Sequence, residues 1–242
     1  MVKDKDILVV SAHAADYVWR SGGTIAKYIE SGARVHVVVL SDGVRGESND
    51  LWKQENATAE GVAAIRRNES RKAAEILGLK TLDFWGMQDY PLSFGQEEQA
   101  RMVRLIRTLR PDVIITHDVN DILNMDHNRT HTFVWQCSIM ANSAGVLTEG
   151  LSCTRQMKLF GFEPHQTEIS GYRPEIFIDI TSAYEKKARA MECFAAQKHL
   201  IEYYKQRASM RGNHARRLSG NSAILYAESF SRKYPVVAQE FV

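Results

Sequence analysis

Short apolar runs alternate with longer amphipathic stretches through the first half of the chain. Ile7 to Ser11, Val35 to Leu40, Thr81 to Trp85 and Val113 to Thr116 are brief and rich in β-branched or aromatic residues, as buried strands require. Between them, apolar positions recur at helical spacing around Gly22 to Glu30, Ala57 to Leu77 and Gln96 to Leu109. Gly32 and Gly78 fall just past the first two segments, where a left-handed residue closes a helix, and Pro111 follows Arg110 where the third must stop. Single helices between strands build βαβ units, whose right-handed crossovers give a parallel sheet covered on both faces. The pattern therefore predicts an α/β, Rossmann-like, mostly parallel sheet in a single domain over 1–242.

The second half is less regular. Asn128 to Ala144 reads as a long helix, and Gln156 to Phe162 and Glu175 to Ile180 as strands. Thr181 to Gln197 predicts one amphipathic helix capped by Thr181 or Ser182, and the polar stretch Gln206 to Ser222 predicts a mobile or substrate-covering loop. Helical and loop elements from about 181 onward are expected to cover the site.

In an open parallel sheet, ligands bind beyond the carboxyl ends of the strands, so the loops there are the place to look for chemistry. His13 and Asp16 follow the first run; Asp42, Arg45 and Glu47 the second; Gln88 and Asp89 the third; His117, Asp118, Asp126 and His127 the fourth. His13 and Asp16 on one tight turn can grip a divalent ion, and His127 at a helix start is a third ligand candidate. Two imidazoles and a carboxylate, with a position left for water, make the donor set of an open catalytic zinc site. Manganese, iron, cobalt or nickel suit the same donors. Glu47 reads either as a solvated loop carboxylate or as a general base beside the metal. His165, after Pro164, is a candidate acid or base. Arg20, Arg45 and Arg129 are candidate clamps for anionic groups, whereas most of Arg66, Arg67 and Arg71 are expected on a solvated helix face. His131 reads as a supporting or packing residue, His117 as either site-lining or backbone-bonded, His36 as a core or hydrogen-bonded residue, and His199 and His214 as exposed.

With 242 residues, 44% hydrophobic and 25% charged, the chain can bury one substantial core. A net charge of +2 and a pI of about 8.4 are too near balance for nucleic-acid binding. Cys137, Cys153 and Cys193 lack any Cys-x-x-Cys spacing, so reduced cytoplasmic thiols are expected. No apolar stretch approaches the ~20 residues of a membrane span, and none reads as a secretory signal.

These residues resemble a family, the LmbE-like or PIG-L-like zinc deacetylases. In that family the first strand ends in Ala-His-Pro-Asp-Asp and a later loop carries His-Pro-Asp-His. Gly22-Gly23-Thr24, Arg66 with Glu69, Ala73-Ala74, Leu77-Gly78, Asp179-Ile180-Thr181, Lys187-Ala188 and Tyr226-Ala227-Glu228-Ser229-Phe230 extend the resemblance over most of the chain. It implies zinc held by His13, Asp16 and His127, and a homo-oligomer. Two positions depart from it. Ala15 stands where the family has its general base, and Asn124 where it has the histidine that assists the oxyanion. Loss of a positioned base costs ~100-fold to ~10,000-fold in rate, which argues against deacetylation by that route. The segments His13 to Gly23, Gly43 to Trp52 and Met140 to Ser143 are similar to a hydratase branch of the family. That resemblance implies a small polycarboxylate substrate, a ring-cleavage product to whose conjugated double bond water is added. Glu47 and His165 are then the expected catalytic residues, and Arg20, Arg45, Asn124 and Arg129 the substrate-binding ones. A deacetylase that recruits another base, or a silent metal-binding protein, are the competing expectations.

Overall fold

Every strand expected in the first half forms in a computed structural model that describes residues 3–239. β1 (Asp6–Ser11), β2 (Arg34–Ser41), β3 (Thr81–Met87) and β4 (Val113–His117) lie parallel in the order β3-β2-β1-β4. β5 (Lys158–Phe162) continues this parallel set beside β4. β6 (Ile176–Asp179) forms the far edge, and β7 (Ala227–Arg232) runs antiparallel between β5 and β6.

The central strand shows why its sequence does not alternate. Ile7 and Val9 enter the core on one face and Leu8 and Val10 the core on the other, and none is more than 1% exposed. A strand buried on both faces reads as one continuous apolar run. α1 (Asp16–Glu30), the short α2 (Asn49–Trp52) and α3 (Ala59–Leu77) precede β3, and α1 and α3 supply Tyr17, Trp19, Ala73 and Leu77 to the first core. α4 (Gln96–Leu109) and α5 (Met125–Asn142) cover the other face with Met102, Ile106, Phe133 and Val134. α6 (Tyr184–Glu192) and α7 (His199–Ser219) return to the first face. No helix among the described residues is long and apolar enough to cross a membrane.

Three expectations need correction. α1 begins at Asp16, so Gly22 and Gly23 lie inside the helix and do not lead into it. Thr181 to Gln197 is not one helix: 3-10 turns at Thr181–Ala183 and Ala195–Gln197 flank α6. Thr181 caps nothing, because its Oγ1 donates to Asp179 Oδ1 at 2.6 Å and accepts from Leu225 N at 2.9 Å. Gln206 to Ser222 is chiefly helix α7 and not a loop. Its buried face consists of Tyr204, Ala208, Arg211, Gly212 and Ala215, so the inward stripe is built from small residues that a hydropathy pattern passes over.

Candidate metal centre

The chain connections from β1 and β4 leave in opposite directions, and the crevice past the carboxyl ends of two such neighbours is a natural ligand site. His13 comes from the turn after β1, Asp16 opens α1, Glu47 hangs from the loop after β2, and His127 sits in the first turn of α5. One ligand atom from each lies within 4.8 Å of the other three. His13 Nδ1 is 3.3 Å from His127 Nε2, 3.4 Å from Asp16 Oδ2 and 3.4 Å from Glu47 Oε1, and His127 Nε2 is 3.4 Å from Asp16 Oδ1. Donors placed at 2.0–2.1 Å around a tetrahedral zinc ion stand about 3.3 Å apart, so His13, Asp16 and His127 fit three positions of such a site, with the Glu47 carboxylate beside the fourth, 4.0 Å from His127 Nε2.

Each imidazole is oriented from behind by a carboxylate, as metal-ligating histidines usually are. Asp121 Oδ2 lies 2.9 Å from His127 Nδ1, and Asp126 Oδ2 lies 3.4 Å from His13 Nε2. Asp126 is itself fixed by the Tyr90 and Leu92 amides, each donating at 2.8 Å. Asn124 caps α5 by accepting from Asp126 N at 3.1 Å, and its Nδ2 donates to Glu47 Oε1 at 3.0 Å.

The electrostatics call for a cation. Burial alone would lower the pKa of His13, but the carboxylates of Glu47, Asp126 and Asp16 overcome it and raise the value to about 10. Burial would raise the pKa of Asp16, yet His127 and His117 hold it well below the usual carboxylate range. The buried cluster thus takes up a proton where it could take up a metal ion. His117 is pushed down to about 3 by burial and by His127; its Nε2 accepts from Ala12 N at 3.0 Å, so it is a backbone-bonded histidine beside the donor set. His131 donates to His117 O at 2.8 Å and stands outside the set.

Glu47 is held from several sides. The Asp89 carboxylate accepts from Arg45 N at 2.9 Å and Gly46 N at 2.8 Å, pinning the loop. Gly46 is required there, since a Cβ would come within 2.1 Å of the Tyr90 ring. Gln197 Nε2 donates to Glu47 Oε2 at 2.9 Å, and Gln197 Oε1 accepts from Arg66 Nη2 at 2.8 Å. Arg66 is therefore fully buried, unlike Arg67 and Arg71; α3 turns it toward Glu69, Gln197 and the Phe194 ring.

The donor set opens into a cavity of about 530 Å³ lined also by Arg20, Asn124 and His165. Arg20 donates to Glu163 O at 2.7 Å and approaches Asp121, while its buried Nε has no hydrogen-bond partner. The His165 ring stacks on Tyr203, and burial together with Arg20 and Arg207 pushes its pKa down to about 4. Arg45 and Arg129 are not brought to this cavity. Arg45 is exposed, and Arg129 lines a neighbouring cleft and donates to Leu92 O at 2.7 Å. The exposed basic side chains lining this cavity are Lys53 and His199, neither of which was expected at the site. Asp121 and Gln197 were also missed. Asp121 carried a usable signal, since ligating histidines need such a partner, whereas nothing in the sequence marks Gln197.

Residues 8–138 match the family model described as PIG-L: GlcNAc-PI de-N-acetylase. The 4-oxalmesaconate hydratase of Pseudomonas putida is 39% identical over 97% of this chain and 92% of its own. The crystal structure of GalB, the 4-carboxy-2-hydroxymuconate hydratase of that organism, superposes with a TM-score of 0.94 at 39% identity, covering 98% of this chain and 100% of the other. A diacetylchitobiose deacetylase from Thermococcus kodakarensis is 27% identical over 80% of this chain and 70% of its own.

Proposed function

The chain belongs to the PIG-L family, and on that premise we propose that it is a metal-dependent hydratase converting 4-oxalomesaconate (4-carboxy-2-hydroxymuconate) to 4-carboxy-4-hydroxy-2-oxoadipate. The reading places it in the breakdown of gallate- or protocatechuate-type aromatic compounds. The near full-length likeness to a hydratase carries it, and Ala15 agrees: position 15 is fully buried and offers no base for amide hydrolysis.

Hydration of a conjugated keto acid is a conjugate addition. Water oxygen bonds to the β carbon, the electron pair moves onto the keto oxygen as an enolate, and a proton then reaches the α carbon. Glu47 holds the water and takes its proton, aimed by Asn124 and Gln197. His13, Asp16 and His127 would hold a divalent ion, zinc by family precedent, which when bound would supply Lewis-acid positive charge at the site. His165, neutral near pH 7 because its pKa is depressed, accepts the enol proton and returns it to carbon. Arg20 at the cavity floor and Lys53 and His199 at its mouth meet the substrate carboxylates, in place of Arg45 and Arg129.

The test follows the near-UV absorbance of the conjugated substrate with metal-loaded and chelator-stripped protein. Loss of the chromophore only with metal present is expected; absent or metal-independent turnover refutes the proposal. Acetate release from N-acetyl sugars, assayed in parallel, would replace it with the deacetylase alternative.

A further inference from the structure

The middle of α1 is met by a buried ion pair from two other elements. Glu228 in β7 turns its carboxylate onto two consecutive helix amides: Oε1 accepts from Gly23 N at 3.0 Å and Oε2 from Thr24 N at 2.7 Å. Lys187 in α6 donates to Trp19 O at 2.9 Å and to Glu228 Oε1 at 2.5 Å. Inside a helix, the amide of residue 23 and the carbonyl of residue 19 belong to each other. Glu228 and Lys187 reach these same two backbone groups, a carboxylate at the amide and an ammonium at the carbonyl, the charges that suit each. The ion pair thereby braces the helix Asp16–Glu30 near its middle, within two turns of its start.

The local sequence accommodates this joint. A Cβ on Gly23 would lie 2.5 Å from Ile180 Cδ1, and the Cβ position of Gly22 faces the Lys187 stem, 3.5 Å from its Cγ. The Lys187 and Glu228 side chains are only 2% and 4% exposed. A buried pair of this kind is a poor source of net stability compared with apolar packing, so its value lies in the arrangement it enforces.

The first turns of the helix it braces carry the site. Asp16, at its start, belongs to the metal-competent donor set, and Trp19 and Arg20, one turn later, line the cavity. We propose that Lys187 and Glu228 are positioning residues for the metal centre: by holding the backbone of α1 at Trp19, Gly23 and Thr24 they set where the Asp16 carboxylate and the Arg20 guanidinium stand. The inference rests on the metal-centre part of the proposed function, and its primary readout is metal binding, which does not require the hydratase assignment.

Cobalt(II) is titrated into the metal-free full-length protein in competition with a chromophoric chelator, and its visible bands are recorded as a report of ligand number and geometry. The variants are Lys187→Met and Glu228→Asp. Glu228→Asp keeps both charges but withdraws the carboxylate from Gly23 and Thr24 by one methylene, so it decides the question should Lys187→Met fail to fold. Each folded variant is expected to bind cobalt roughly 10-fold to 100-fold more weakly and to show an altered visible band, the range seen when residues supporting metal ligands are changed. A folded variant with unchanged affinity and an unchanged spectrum overturns the proposal. Stoichiometric cobalt binding by the wild-type protein without hydratase turnover counts against the hydratase reading alone, and the variants still decide the role of the pair.

Discussion

Glu47→Gln removes the charge of the proposed base with little change of shape, and the site makes the consequence calculable. Glu47 accepts from two amide groups, Asn124 Nδ2 and Gln197 Nε2. Neither donor is free to turn over. Asn124 Oδ1 is occupied by Asp126 N, and Gln197 Oε1 by Arg66 Nη2. A glutamine at position 47 has one oxygen to present, so its own amide NH2 must face one of the two donors. That mismatch costs about 1–3 kcal/mol, as for a buried polar group left unsatisfied. Loss of proton transfer is the larger effect: a fall of ~100-fold to ~10,000-fold in kcat/KM, equal to about 2.7–5.4 kcal/mol in the barrier. His13, Asp16 and His127 remain, so metal content should stay near that of the wild type. The assay is the decay of substrate absorbance on protein of known metal content. A loss smaller than about tenfold with metal retained removes Glu47 from the mechanism.

Three further outcomes are expected. Asp121→Asn takes the carboxylate from behind His127 and should weaken metal binding roughly 10-fold to 100-fold in a chelator competition; unchanged affinity would show that Asp121 does not support this ligand. Gly212→Ala places a Cβ 2.1 Å from Leu225 O, so α7 must move off the backbone it covers. A cost of at least about 1–3 kcal/mol follows, with a drop of about 2–4 °C in Tm per kcal/mol, and an unaltered thermal transition refutes it. The third outcome concerns acid stability. Burial would raise the pKa of Glu163, but Arg211, which donates to both carboxylate oxygens, and Arg207 hold it below the usual range. A folded pKa below the unfolded value of about 4.3 contributes stability that is complete above that value and drains away as pH falls through the folded pKa. The Tm gap between wild type and Glu163→Gln should therefore be widest near neutrality and close on acidification; a gap independent of pH contradicts the assignment.

The legible part of the fold was the part whose burial is periodic or continuous. β1 to β4 and the helices between them announce themselves because both sheet faces are covered and each crossover helix shows an apolar stripe. α7 did not, because Ala208, Gly212 and Ala215 form its inner face and close backbone packing there replaces large side chains. α1 was shortened because glycines inside a helix read as its entrance until Ile180 and Lys187 are seen pressing against them. Arginines were the hardest to place. Arg20, Arg45, Arg66 and Arg129 are alike in a sequence, yet one lines the cavity floor, one is exposed, one is buried behind Gln197, and one donates into a separate cleft.

By itself the sequence determined the parallel α/β architecture and the rim on which reactive groups collect, since strand spacing and topology require both. It also carried His13, Asp16 and His127 as metal-competent residues, because those are matters of residue type at positions near strand and helix ends, and the family resemblance added that Ala15 stands where relatives have a base. Only the tertiary structure decided their working relations. It brings Glu47 to 3.4 Å from His13 from the loop after the neighbouring strand, aims it through Gln197, 150 positions away, and joins Lys187 and Glu228 to the middle of α1. The physical reason is separation along the chain: helical and strand periodicity report the burial of neighbours, whereas a hydrogen bond between distant residues exists only after the whole core has packed.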